Sequence, residues 1–489
     1  MQVDAVVVGS GPNGLAAALV LAAAGLEVEV YEASGTPGGG MRTEELTLPG
    51  FKHDVCSAVH PMGLASPFFR AFDLERHGVE WLHPQVAYAH PLDGGHAGLA
   101  WTDLERTAEG LGADGAAWRR LLGPLVERWR GVVGAAMSDL RHPPGDPVGA
   151  ARLAVRLAEQ GTPLWRFRFR GRVAPAMLAG LGAHAIAPLH RPASAGAGLL
   201  LGTLAHAVGW PLPRGGSAAI TAAMVRALRA RGGRIITGHR VRSLAELPRA
   251  RAILLDVTPA GLLEMAGDLL PEGYARALRR FRHGGAACKV DFALSGPVPW
   301  TAPGCDLAGT LHLIGDEVEA SAAERRVAAG RHAARPYVLA VQPCVVDDGR
   351  APQGHHVLWT YAHVPQGSSR DVSEAVIAQV ERFAPGFRDL IVARRAVPAA
   401  ELAAGNPNHV GGDIAGGAMT AWQMLMRPVP RWDPYRTPLP GVYLCSSSTP
   451  PGPGVHGMCG LHAASRALRQ RFGVRADPLR LVRSLRETH

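Results

Sequence analysis

The chain has 489 residues, 47% of them hydrophobic, and 51 basic against 41 acidic residues give a formal net charge of +10. That length carries two or three domains with sizeable cores, or two interleaved lobes. The charge does not argue for nucleic acid: every basic residue is arginine except Lys52 and Lys289. Alanine, glycine and proline are also abundant, as a GC-rich coding bias gives, and no helix-turn-helix or zinc-finger pattern accompanies the arginines. The six cysteines are scattered, with no C-x-x-C pair. This speaks against a disulfide framework or zinc site and fits a reducing cytoplasm. The alanine-rich start carries Asp4 and no basic leader, so it does not read as a signal peptide. No clean run of about 20 apolar residues reads as a membrane span.

In chain order, Val6-Val7-Val8 reads as a buried parallel strand that breaks into Gly9-Ser10-Gly11-Pro12-Asn13-Gly14. Leu15 to Ala24 is a strong helix former, Gly25 stops it, and Leu26 to Glu32 alternates as a second strand. This is the strand–GxGxxG–helix–strand–acid unit of a dinucleotide fold. Gly9 allows the tight turn, Gly11 lets the backbone approach a pyrophosphate, and Gly14 lets helix and strand pack closely. Pro12 and Asn13 lie in the same turn, before a helix whose N-terminus favours phosphate. Glu32, followed by Ala33, stands where a carboxylate bonds a ribose hydroxyl. Gly110 to Gly115 also spells GxGxxG, but polar helix-like sequence precedes it, so it reads as a loop.

Gly38-Gly39-Gly40-Met41-Arg42-Thr43 follows directly. It resembles the second fingerprint of FAD enzymes of the amine oxidase and phytoene desaturase superfamily, where the glycines pass under the pyrophosphate and the arginine helps hold it.

Amphipathic helices are expected around Ala116–Trp129 and Pro147–Gln160. Trp165 to Arg172 alternates aromatic and basic residues, and from Val173 to Pro213 the only charge is Arg191, histidines being counted as neutral. Three readings stay open there: a membrane-surface contact, a solvated edge followed by core, or the lining of an apolar substrate tunnel. A helix to about Arg231 then leads into a strand, a turn and a strand across Arg234 to Val241, and Ala252 to Val257 is a further buried strand. In the same superfamily this block returns the chain to the FAD domain, which would lay Val241 against the adenine. Cys288–Leu294 and Trp359–Val364 read as strands of a second lobe.

Val442 to Cys445 is a strand, Ser446 to Gly454 a proline-rich loop, and a helix starts at Val455. Ser446, Ser447, Gly454, Val455, His456, Gly457 and Met458 resemble the closing FAD motif of phytoene desaturase-like flavoproteins. There the loop passes the ribityl chain, and the helix N-terminus faces the flavin carbonyl that carries negative charge on reduction. Serines stand where many FAD folds place an aspartate. With the segments His53–Pro61 and Gly405–Asp413, the chain is similar to the phytoene desaturase-like NAD(P)/FAD-dependent oxidoreductases, in the branch of pyridine nucleotide-disulphide oxidoreductase domain-containing protein 2. The resemblance spans nearly the whole chain.

The expected fold is α/β: a Rossmann-type FAD-binding domain (1–60, 211–284 and 428–489) interleaved with an α+β substrate lobe (61–210 and 285–427). Lys289, in a Gly…Lys-Val…Phe…Trp setting, resembles the amine oxidase lysine that holds a water at flavin N5. The alternative is a strand lysine facing solvent. His53, His60, His363 and His456 are candidate acid–base groups, and His456 gains from its place beside the flavin helix. The resemblance implies the fold and FAD; with the uncharged 173–213 region it reads as a FAD-dependent oxidoreductase that dehydrogenates, desaturates or isomerises an apolar small molecule, and the scattered cysteines suit a cytoplasmic setting. Oxygen, a quinone or NAD(P) would be the electron acceptor, and the membrane surface a peripheral contact. An amine oxidase-type enzyme and a non-catalytic flavin-binding protein stay open beside it.

Overall fold

The computed structural model describes residues 3–139 and 142–487. Its first strand, β1 (Val3–Val8), turns at Gly9 into α1 (Pro12–Ala23) and returns through Gly25 into β2 (Val28–Tyr31). Asn13 through Ala22 are all buried. A helix apolar on every side belongs inside a core, and α1 is packed between the sheet and a helix near the far end of the chain. The other elements that matter here are β3 (Val86–Leu92), β4 (His96–Trp101), α2 (Pro147–Gln160), α3 (Val173–Ala183) and α4 (Pro192–Ala207). They continue with α5 (Ala218–Ala230), β5 (Arg234–Ile236), β6 (Ala250–Leu255), β7 (Ala286–Leu294), β8 (Ala308–Leu313) and β9 (Val338–Val341). The last are β10 (His356–Val364), β11 (Ile391–Val397), α6 (Ala421–Met426), β12 (Val442–Leu444) and α7 (Met458–Ala467).

One sheet runs β12-β6-β1-β2-β5, with every pairing parallel. The chain leaves β1 toward β2 on one side, while β6 lies on the other. The carboxyl ends of β1 and β6 therefore form the switch point where such sheets bind ligands. The second sheet runs β11-β7-β10-β9-β8-β3-β4, antiparallel except where β8 meets β3. Side chains alternate along β7. Cys288, Val290 and Phe292 enter one core. Ala287, Lys289 and Asp291 face the opposite way, paired across the strands with His363, Tyr361 and Trp359.

Several sequence expectations change in detail. Residues 237–243 form no strand: Gly238 and His239 donate their N–H groups to Ser34 and Glu32 carbonyls, so the chain bends back over the end of β2. Gly110 to Gly115 is a connector between two helices. The aromatic–basic stretch is a 3-10 turn over Pro163–Arg168. Trp165 and Phe169 are core residues and Arg168 is paired with Glu159, which leaves Phe167 as its exposed aromatic. The uncharged region folds as α3, which is buried, and α4, one face of which lines a cavity. Among the described residues, no helix is long and apolar enough to cross a membrane.

Candidate functional site

A cavity of about 1080 Å³ starts at the switch point and continues between the two sheets. Its nucleotide end is lined by Gly9, Gly11, Pro12, Asn13, Glu32, Ala33, Gly39, Gly40, Arg42 and Val241. Gly9 has a φ of +98°, and a Cβ on Gly14 would stand 2.0 Å from the Gly9 carbonyl oxygen. A Cβ on Gly39 would stand 2.9 Å from Gly11 Cα, so the two glycine loops touch as bare backbone. Glu32 accepts hydrogen bonds from Ser10 N, Ser10 Oγ and Ser34 N at 3.0, 2.5 and 2.8 Å, which fix its carboxylate at the end of β2. Arg42 bonds Ser34 Oγ at 2.9 Å and the Gly405 carbonyl at 3.2 Å. Asn13 Oδ1 is buried without a hydrogen-bond partner among the described residues. Touching glycine loops, the free N–H groups of a helix start and a carboxylate at the next strand end are what the AMP half of FAD requires.

The residues expected here do not all face the cavity. Gly14 and Gly38 act from behind its wall, where a Cβ on Gly38 would meet Thr221 Oγ1 at 2.6 Å. Met41 is a core residue, and its carbonyl accepts from Thr221 Oγ1 at 2.8 Å. Toward the other end of the chain, Ser447, Gly454, Val455 and His456 line the cavity. Ser446 does not: its hydroxyl donates to the Val257 carbonyl at 2.7 Å and ties β12 to the end of β6. Gly457 takes φ +69° against Phe68 and opens α7, and the buried Met458 follows it.

His456 is placed beside the cavity, but both ring nitrogens serve the backbone. Nδ1 accepts from Met458 N at 3.0 Å, and Nε2 donates to the Gly452 carbonyl at 3.1 Å. Burial pushes its pKa down to about 4. The ring holds the flavin loop against α7, and neither nitrogen is left to exchange a proton. Lys289 is buried too, and it faces neither solvent nor the cavity. Its Nζ is paired with Asp291 and lies 5.5 Å from the centre of the Trp359 ring.

Two placements were not expected from the sequence, although Gly405–Asp413 was named there as a segment of the resemblance. The segment Asn406 to His409 folds over the nucleotide end, with Asn408 bonding the Asp256 carbonyl and Thr258 N at 2.8 and 3.0 Å. Asp256 itself stands at the end of β6 and accepts Gly14 N–H at 2.9 Å, across 242 residues of chain. A charged residue directly after a buried parallel strand was the signal that could have found it.

Burial, joined by the negative charge of Glu32, raises the Asp256 pKa to about 7, against the opposing Gly14 hydrogen bond. Between the unfolded value and about 7, the folded state therefore keeps a proton that the unfolded chain has lost. Stability falls as pH rises through that window and levels off above it. The shift corresponds to on the order of 4 kcal/mol. Asp256→Asn keeps an acceptor for Gly14 N–H and is expected to flatten the fall, measured as urea unfolding of the FAD-free protein at about pH 5 and about pH 8. An unchanged pH dependence would show that Asp256 is ionised throughout.

A Rossmann-type sheet with a two-loop glycine cradle, opening into a cavity beneath a second mixed sheet, defines an FAD-dependent oxidoreductase. The chain belongs to the flavin containing amine oxidoreductase family, whose model matches residues 13–467. It is 25% identical to pyridine nucleotide-disulfide oxidoreductase domain-containing protein 2 of Rattus norvegicus, over 96% of this chain and 94% of that protein. It is 34% identical to one of the limonene dehydrogenase subunits of Castellaniella defragrans, over 31% of this chain and 27% of the other. A putrescine oxidase structure with putrescine bound has a TM-score of 0.60 at 18% identity, covering 97% of this chain and 99% of that one, a likeness of fold.

Proposed function

We propose that the chain removes hydrogen from an apolar small molecule held in the distal limb of the cavity. One observation carries this reading. Among the described lining residues, the charged ones are Glu32, Arg42, Arg240, Asp256 and Glu264, and all of them belong to the nucleotide end. The distal limb is walled by Pro192, Gly196, Ala197 and Leu200 of α4, Leu157 of α2, and Trp359 and Tyr361 of β10. Spacing by three and four puts the α4 residues on one helix face. An ammonium substrate would find no carboxylate there, and stripping its water would go uncompensated. A hydrocarbon loses nothing on entry and gains about 25 cal/mol per Å² of apolar surface it buries. Bound FAD supplies a two-electron acceptor able to take hydride from carbon. The similarity to a limonene dehydrogenase, named for an apolar compound, supports the same class of substrate.

The test is anaerobic mixing of the FAD-loaded protein with terpene and polyene hydrocarbons and, separately, with primary amines. Loss of the oxidised flavin's visible band with hydrocarbons is the expected result. Bleaching by amines alone would overturn the reading.

An apolar substrate reaches such a cavity most readily from lipid. Leu425 both lines the cavity and is 59% exposed, and Trp422 on the same short helix is 67% exposed. α6 accordingly sits at a mouth with greasy lips, a feature of peripheral lipid contact. Trp422→Ser with Leu425→Ser is expected to weaken co-sedimentation with phosphatidylglycerol vesicles. Undiminished binding would place the contact elsewhere or abolish it.

A further inference from the structure

The residue before α1 is Gly11, so no side chain of the turn itself caps the helix. The acceptor comes instead from another strand: Asp256, at the end of β6, takes the Gly14 N–H on Oδ2 at 2.9 Å. The same residue touches the rest of the turn. A Cβ on Gly11 would lie 2.8 Å from Asp256 Oδ2, and one on Gly9 would lie 3.0 Å from the Asp256 Cβ. Asp256 is thus pressed against all three glycines of the phosphate turn, and it lines the nucleotide end of the cavity. Its second oxygen, Oδ1, makes no hydrogen bond to the described residues.

An ionised carboxylate here would oppose the cofactor. The turn exists to receive a diphosphate, and the negative charge of Glu32 already acts on Asp256 from the end of β2. The remaining groups around Asp256 do not offset this. Cys445, which follows β12, and Cys459 on α7 are buried thiols whose pKa values burial raises, with Asp256 adding to the effect. The segment above supplies Asn408, which is neutral, and His409, whose pKa burial lowers to about 4. Arg42, Arg240, Glu264 and His239 line the same end, and none of them forms an ion pair with Asp256. Asparagine would accept the Gly14 N–H equally well. What an acid adds at this spot is a proton that comes and goes.

We propose that Asp256 meets the FAD phosphates as a neutral acid, and that each FAD bound therefore brings one proton from solvent into the site. The oxygen that accepts Gly14 N–H serves as the carbonyl oxygen of the neutral carboxyl, which leaves the proton to Oδ1. That O–H is a donor for a phosphate oxygen, where a carboxylate would repel it. Linkage makes the effect reciprocal: phosphate raises the Asp256 pKa, and the proton raises FAD affinity by the same factor. The direction with pH follows. Burial and Glu32 already raise this pKa to about 7 in the FAD-free protein, and further negative charge raises it more. Well below that value both forms hold the proton, so affinity is level. Above it the FAD-free form gives up the proton that the bound form keeps, and affinity falls by up to about tenfold per pH unit until the bound form titrates as well. Retention of the cofactor, rather than the chemistry in the distal limb, is the step this carboxyl makes sensitive to pH.

The test starts from the FAD-loaded protein and needs no substrate. Dissociation constants are read from the flavin that passes an ultrafilter, in phosphate-free buffers between about pH 6 and about pH 9. The native constant is expected to be level to about pH 7 and to rise about tenfold by about pH 9. Asp256→Asn is expected to match the native value at about pH 6 and to stay level across the range. Circular dichroism at both ends of the range separates loss of flavin from loss of fold. His239→Gln controls for the other titratable group at this end and is expected to keep the native slope. Infrared spectra of the native protein at about pH 8 are expected to show a protonated-carboxyl band that is stronger with FAD than without it. A level native profile, a slope that survives in Asp256→Asn, or a slope lost in His239→Gln would each overturn the proposal. If Asp256→Asn holds no flavin at any pH, the infrared band decides, and its failure to grow with FAD overturns the proposal.

Discussion

Gly14→Val is expected to give protein that purifies without flavin colour. The Cβ of any residue at this position stands 2.0 Å from the Gly9 carbonyl oxygen and 2.9 Å from its carbon, both backbone atoms at the centre of the turn. No side-chain rotation relieves that overlap; α1 must move away from β1. The move pulls Gly14 N–H from Asp256 and opens the contact between Gly11 and Gly39. It also presses α1 on α7, where a Cβ on Gly460 already would stand 2.0 Å from the Asn13 carbonyl oxygen. Overpacking of this kind costs about 1–3 kcal/mol, and each 1.4 kcal/mol is about tenfold in affinity. FAD binding should weaken by about five- to a hundredfold, read as the flavin-to-protein absorbance ratio after gel filtration, with circular dichroism confirming the fold. Gly25→Ala is the contrast. Its φ is +82°, but nothing lies within 4 Å of its Cβ position, so about 1 kcal/mol of backbone strain and full colour are expected. A colourless Gly25 variant, or a fully loaded Gly14 variant, would contradict the packing argument.

That contrast also explains what could be read in the sequence. Gly9 to Gly14 and Glu32 were legible because the turn, the helix start and the strand end that use them are contiguous, and each residue type has a local reason. The flavin loop was legible as a segment but not side chain by side chain. Ser446 turns to the Val257 carbonyl and His456 to Met458 and Gly452 because of partners that only the fold supplies. Met41 looked like part of the cradle because it sits between Gly40 and Arg42, yet its side chain is buried in the core. Lys289 stood out by rarity, and it is unusual in place: a lysine buried on a sheet with Asp291 beside it. Asp256 was hidden because its partner Gly14 is remote in sequence. The uncharged stretch after Val173 left membrane contact, core and tunnel lining open, and only the packing of α4 distinguishes a cavity wall from core.

Arg350→Met is expected to destabilise the protein by about 3–5 kcal/mol, the cost of breaking a buried pair from one side. Arg350 and Asp54 are both inaccessible to water, with Nη2 and Oδ2 2.7 Å apart. Burial by itself would raise the Asp54 pKa. The charge of Arg350, helped by hydrogen bonds from Ser217 N, Arg350 and Thr43 Oγ1, outweighs it and holds the carboxyl below its ordinary range. In the native protein this pair therefore adds stability above the unfolded carboxyl pKa and loses it as pH falls. Removing the guanidinium reverses the sign. Asp54 then keeps the burial penalty with fewer partners, its pKa rises, and the variant should regain stability as acid protonates it. The double change Arg350→Met with Asp54→Asn removes the orphaned charge and should recover much of the loss. The effect also reaches the cavity, because Ser217, which donates its N–H to Asp54, holds His60 Nε2 at 2.9 Å in the cavity wall. Urea unfolding of the native protein and the two variants at neutral and acid pH separates the cases. If Arg350→Met unfolds like the native protein at neutral pH, the pair carries no net stability, and the wall at His60 is held by its other contacts.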